Sequence, residues 1–125
     1  MKRSALPVLL ALAALVPAAH AQTAPDGAAA EPTVQQKTAL RCSVAFALVA
    51  QGQARGDPAM AEWPPLGERG REFFVRSSAQ MMDETGMTRE EVAALLANEI
   101  TALGEPGALA EVMPPCLLLL DASGL

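Results

Sequence analysis

Cys42 and Cys116 are the only cysteines in the 125-residue chain, and 74 positions separate them. Two thiols can close one intramolecular bridge, pair between molecules or stay free, or cycle as a redox dithiol. Redox pairs usually sit close in sequence, as Cys-x-x-Cys with a tuned thiolate. This pair has the wrong spacing for that. An even number of thiols in an exported chain normally pairs, so the expectation is a structural bridge, Cys42–Cys116. Closing a loop of this length should stabilise the fold by ~4.5 kcal/mol in the chain-entropy picture. A domain of this size has a net stability of only ~5–10 kcal/mol.

The remaining side chains offer little chemistry. The sole histidine is His20, and tyrosine is absent. If His20 is removed with a leader, the rest has no imidazole for a Ser-His or Cys-His pair or a histidine metal site. Ser43, Ser77 and Ser78 then lack a base. Glu90 and Glu91 are adjacent, so they point apart on a helix and give no acid/base geometry. The run Asp83 to Glu91 invites a calcium-loop reading, but its Asp, Asn and Gly positions miss the required offsets. It reads instead as a corner between two helices. No catalytic residue, metal site or cofactor site is therefore expected, and the chain is expected not to be an enzyme.

Four side chains stand out as candidate partner contacts. Trp63 sits in a proline-rich loop, where it either packs on the edge of the core or anchors an interface. Arg69, Arg71 and Arg76 gather in sequence along one predicted helix, where they could meet an anion or an acidic partner. The competing reading pairs them with Glu68 and Glu72 on a solvated face. Met81, Met82 and Met87 suit either an adaptable binding surface or the core, and Met81 continues a core stripe.

The first 21 residues place the rest. Lys2 and Arg3 precede an apolar stretch from Leu6 to Val16, and Ala19-His20-Ala21 is a small-x-small site. That pattern reads as a secretory signal cut after Ala21, giving a periplasmic or secreted protein. The apolar stretch falls short of the ~20 residues that span a bilayer. The next longest, Val44 to Ala50, fits a buried helix, so no stable membrane insertion is expected after cleavage. Loss of Lys2 and Arg3 leaves 7 basic residues against 14 acidic ones. An acidic surface argues against nucleic acid, whose phosphates need basic patches. Protein is the expected partner class.

Apolar spacing and caps define the elements. Residues 22–32 are rich in Ala and Pro and read as a disordered leader. A helical domain follows over 33–121. Thr33 and Gln36 have capping-box spacing and open a first helix running to about Arg55. It is apolar on most faces from Cys42 to Ala50, with Leu40, Val44, Phe46, Leu48 and Val49 as core. Gly56 to Pro65 is a loop. A second helix spans about Leu66 to Thr85, with Leu66, Gly70, Phe73, Ser77 and Met81 on one face and Gly86 as its stop. Thr88 and Glu91 cap a third helix whose stripe is Val92, Leu95, Leu96, Ile100 and Leu103. Beyond Pro106, Gly107 to Met113 reads as a short helix ended by Pro114 and Pro115. Cys116 to Asp121 reads as another, with Leu117 to Leu120 buried on several sides. Residues 122–125 read as a frayed tail.

Three stretches together carry a resemblance: Arg41-Cys42-Ser43-Val44-Ala45-Phe46-Ala47, Pro65-Leu66-Gly67-Glu68-Arg69-Gly70-Arg71-Glu72-Phe73-Phe74, and Cys116-Leu117-Leu118-Leu119-Leu120-Asp121. The chain resembles small exported helical proteins of Gram-negative bacteria with a cysteine near each end of the domain. The resemblance covers about Thr33 to Asp121 and implies fold and compartment, not activity. In architecture, though not in motif, the chain is also similar to periplasmic acid-stress chaperones.

The expected fold is all-α, a small bundle of four to five helices closed by one disulfide. The expected function is a non-enzymatic periplasmic or secreted interaction protein. Two alternatives stand beside it. One is an acid-stress holdase whose carboxylates neutralise at low pH and loosen the fold. The other is an inhibitor or immunity-type protein that binds through the arginine-bearing helix.

Overall fold

The computed structural model describes residues 27–125. The expected signal, residues 1–21, and the first part of the expected leader lie outside the described residues. Four helices make up the fold: α1 (Val34–Ala54), α2 (Arg69–Thr85), α3 (Arg89–Leu103) and α4 (Ala108–Ala122). A single 3₁₀ turn, Pro58–Met60, lies between α1 and α2. Among the described residues there are no strands.

Helix α1 is central and touches every other element. It begins where Thr33 Oγ1 accepts from the Gln36 N–H and Gln36 Oε1 accepts from the Thr33 N–H. Five consecutive residues, Cys42 to Phe46, are buried. Buried on so many sides, the stretch of α1 from Cys42 to Ala50 is apolar nearly all round rather than on one stripe. Of its expected core residues, Leu48 alone is only partly buried, against the rim of the main cluster. Ser43 is tolerated inside because its hydroxyl donates to the Ala39 carbonyl at 2.8 Å.

Helix α2 starts three residues later than expected, after Pro64, Pro65 and Gly67. Leu66 is nevertheless fully buried, and its carbonyl accepts from the Gly70 N–H. Gly70 is where α2 meets α1: a Cβ there would lie 2.9 Å from Phe46 Cβ. The missing side chain lets the backbones close up. One turn on, the Phe46 and Phe73 rings meet edge to face, 5.3 Å apart at 81°, a favoured aromatic geometry. Gly86 ends α2 in the left-handed region at φ 73°.

Helix α3 is capped as its sequence demands: Thr88 Oγ1 accepts from the Glu91 N–H, and Glu91 Oε2 accepts from the Thr88 N–H. Its stripe departs from expectation. Val92 and Leu103 are buried and Leu95 and Leu96 are half-buried, but Ile100 is 51% exposed. At 100° per residue, the inner face through Val92, Leu96 and Leu103 passes nearer to Glu99 than to Ile100. Glu99 takes the inner place, drawn there by Arg41.

The C-terminal region corrects the expectation of two short helices. Pro114 and Pro115 lie inside one continuous helix, α4. Both prolines are exposed, while Met113, Cys116 and Leu120 are buried on the opposite side. An interior proline costs a helix about 3 kcal/mol. Burial of that inner face and the crosslink at Cys116 outweigh the cost. The four leucines are not equally buried: Leu120 is fully enclosed and Leu118 is 72% exposed. The last residues do not hang free. Arg69 donates from Nε to the main-chain oxygen of Leu125 and from Nη2 to Asp121 Oδ1, both at 2.8 Å. At the other end, Ala30 N–H donates to the Thr85 carbonyl and Pro32 is buried.

Two apolar clusters result. The main one joins α1, α2 and α4 through Val44, Phe46, Val49, Leu66, Phe73, Met113 and Leu120, with Leu103 from the end of α3. The second is smaller, with Leu40, Met81 and Val92 at its centre and Met82, Met87, Leu95 and Leu96 around them. The three methionines are packing residues here.

Candidate functional site

Cys42 and Cys116 form a disulfide, with an S–S length of 2.02 Å and a Cα–Cα distance of 5.2 Å. It joins the middle of α1 to the middle of α4, and each cysteine is only 2% exposed. Burial keeps an attacking thiolate from the sulfurs, which suits a structural crosslink and not a redox centre.

Residues N-terminal to each cysteine on α1 and α4 flank this bond. They leave a cleft of about 450 Å³ with the disulfide at its base. Val34, Lys37, Thr38 and Arg41 form the α1 wall, because residues i, i+3, i+4 and i+7 share a helix face. Val112 and Pro115 form the α4 wall, and Glu99 enters from α3. Arg41 Nε donates to Glu99 Oε2 at 2.8 Å, the only hydrogen bond it donates among the described residues. Lys37 Nζ donates to Glu31 Oε1 at 2.9 Å, on the chain leading into α1. A second cleft, of about 360 Å³, shares Arg41, Val112 and Pro115 with the first and adds Glu111.

Pro114 and Pro115 have a further consequence. Neither has an N–H, so the carbonyls of Ala110 and Glu111, four residues earlier, lack their helical donors. Ala110 and Glu111 are both exposed to solvent, and of the two only Glu111 lines a cleft, the second one.

The structure does not gather the candidate partner residues into one site. Arg69 is committed to Asp121 and Leu125. Arg76 donates to Glu72 at 2.8 Å, as the i,i+4 spacing anticipates. The expected Glu68–Arg71 pair is absent among the described ion pairs. Arg69 and Arg76 are seven residues apart and share a face, whereas Arg71 is rotated about 200° from Arg69. Trp63 is half-buried against the main cluster. It also lines a shallow recess of about 410 Å³ with Pro58, Ala61 and Pro65.

The acidic corner is structural. Glu84 accepts from Gln80 at 2.7 Å and from Gln36 of α1 at 2.6 Å. These two hydrogen bonds hold its carboxyl below the ordinary value. Glu91 serves the α3 cap. No group of three potential metal ligands occurs among the described residues.

Sequence reading missed two organisers. Gln53 Nε2 faces the carbonyls of Met60, Trp63 and Pro64 at 3.0–3.2 Å, and its Oε1 accepts from the Leu66 N–H. One amide thereby folds the whole proline-rich loop. The second is the Lys37–Arg41 face, whose signal was present as two cations one turn apart, the nearer beside Cys42. Compared with known proteins, the chain matches no family model, no curated relative and no solved structure.

Proposed function

We propose that this chain is a non-enzymatic periplasmic or secreted interaction protein whose partner is another polypeptide. The buried Cys42–Cys116 bond carries the reading. Such bonds persist in oxidising compartments, which agrees with the leader pattern over residues 1–21 and cleavage after Ala21. No described helix is long and apolar enough to cross a membrane. The cleft above the bond supports binding over catalysis, since its polar groups are two cations, one threonine and one carboxylate. The resemblance to small exported helical proteins points the same way. The test is recovery of the protein from fractionated cells, with N-terminal sequencing and thiol counting. The reading expects Gln22 first and no free thiol outside the cytosol. An uncut leader on a cytosolic form with two free thiols would end it.

One observation favours the acid-stress alternative as a second reading. Glu31, Glu84, Glu99 and Asp121 each close a polar contact between different segments of the fold. Among them the Glu84 carboxyl is held below its ordinary value by Gln80 and Gln36, so acid weakens the α1–α2 contact it makes. A dye that reports exposed apolar surface should then bind below the carboxylate range, and no change in dye binding would dismiss this reading. The inhibitor or immunity reading has less support, since Arg69 and Arg76 are occupied within the fold.

A further inference from the structure

We propose that α4 is a redox-conditional element: it docks as one helix only when the Cys42–Cys116 bond is closed, and a chain with two thiols keeps α1, α2 and α3 together with α4 released. The inference concerns the fold and stands whatever partner the protein has.

Helix α4 is built against its own local sequence. Pro114 and Pro115 lie in its middle, past the first turn where proline is tolerated. Each removes one helical hydrogen bond and disfavours the helical backbone of the residue before it. An interior proline shifts a helix equilibrium by roughly a hundredfold. The two prolines divide α4 into residues 108–113 and 116–122. Each piece is far shorter than the ~12–15 residues at which an isolated helix becomes even marginal in water. The ends do not repair this: the Gly107 N-cap offers no side-chain hydrogen bond, and no basic residue lies in the last turn.

What holds α4 is therefore tertiary. Met113 and Leu120 enter the main cluster, Arg69 reaches Asp121, and the bond ties Cys116 to Cys42. The ion pair is exposed on both sides and contributes little. The bond is attached directly after Pro115, at the weakest point of the helix. Closing a loop across 74 positions shifts the folding equilibrium by about a thousandfold. Of these holds, the bond alone changes with redox state. Its closure joins the two Sγ atoms and passes two electrons and two protons to the disulfide of an exchange partner, which leaves as two thiols.

The other helices have contacts that do not need α4. The Phe46–Phe73 ring pair and the Gly70–Phe46 approach join α1 to α2. The cluster of Leu40, Met81 and Val92 joins α3 to both, and among the described residues no α4 side chain belongs to it. Closure locks Met113 and Leu120 inside. Each cysteine is then only 2% exposed, so thiol exchange does not readily reopen the bond, and the device acts once, at oxidation.

The experiment is residue-resolved amide exchange on the exported protein, residues 22–125, in three states: oxidised, reduced by dithiothreitol, and reoxidised with oxidised glutathione. The pair Cys42→Ala with Cys116→Ala supplies a bond-free state without reductant. The reduced protein and this variant should both lose at least about a hundredfold in protection at α4 amides around Cys116. Both should keep their protection in α1 and α2 around Phe46 and Phe73. Reoxidation should restore α4. Adding Pro114→Ala and Pro115→Ala to the bond-free variant should raise α4 protection by about a hundredfold or more. Three results would each overturn the proposal: α4 as protected without the bond as with it, loss of protection through all four helices together, or a bond-free α4 that stays open with both prolines replaced.

Discussion

The two sides of α1 are held by different means. On one side, α2 and α4 close on Phe46 through an edge-to-face ring pair, a glycine contact and a disulfide. On the other, α3 covers a small cluster of leucines, methionines and one valine, and only two of its fifteen residues are fully buried. Its side-chain link to α1 is the Arg41–Glu99 pair. The first side gains from aromatic area, close backbone approach and a covalent constraint. The second gains from flexible side chains and a partly solvated ion pair. Stability should therefore be uneven, with α3 the first element to open.

The largest test of this contrast removes the crosslink. Replacing both cysteines, Cys42→Ser with Cys116→Ser, should cost about 4–5 kcal/mol in denaturant unfolding, from the loop-closure entropy restored to the unfolded chain. A loss below ~1 kcal/mol would mean the bond adds little to a fold already set by packing. Next, Phe73→Ala should cost about 3–5 kcal/mol, because it removes a ring from a dense site. Val92→Ala, under α3, should cost about 1–2 kcal/mol, since fewer methyl groups leave a thinner cluster. Equal losses at the two positions would erase the contrast.

Two smaller effects sharpen it. Glu99→Gln should cost under about 1 kcal/mol globally, because Arg41 is half exposed and surface pairs contribute little. Its clearer signature should be faster amide exchange confined to α3. The last concerns acid. The Glu84 carboxyl is held below its ordinary value by Gln80 and Gln36. A depressed folded value means its stabilisation is fully present above the unfolded carboxyl's titration. The stabilisation is lost as pH falls through the lower, folded value. In a stability-versus-pH series, the separation between the parent and Glu84→Gln should be constant above that acid window and change only across it, and slightly, because the group is exposed. Parallel curves would remove Glu84 from the α1–α2 contact.

Much of the bundle was legible because its signals are local. The boxes at Thr33 and Thr88 and the stops at Gly56 and Gly86 each lie within a few residues of what they control. Gly70 is legible as a gap on the inner face of α2, but what fills it, Phe46, lies on another helix. The Cys42–Cys116 pairing was legible by count alone. What was hidden depends on distant partners. Pro114 and Pro115 locally argue for a break, and only the burial of Met113, Cys116 and Leu120 against α1 and α2 keeps α4 whole. Glu99 looks like a surface charge until Arg41, 58 positions away, draws it inward. The arginines of α2 look like one cluster because sequence proximity ignores the helical turn. The disulfide cleft was invisible for the same reason: its walls come from three helices.

Residue-resolved hydrogen exchange on the oxidised protein tests the uneven fold most directly. Amides of α1 and α4 around Cys42 and Cys116 should exchange only with global unfolding, while those of α3 from Val92 to Ala102 should exchange faster through a smaller opening. Uniform protection across all four helices, or faster opening of α4 than of α3, would contradict it.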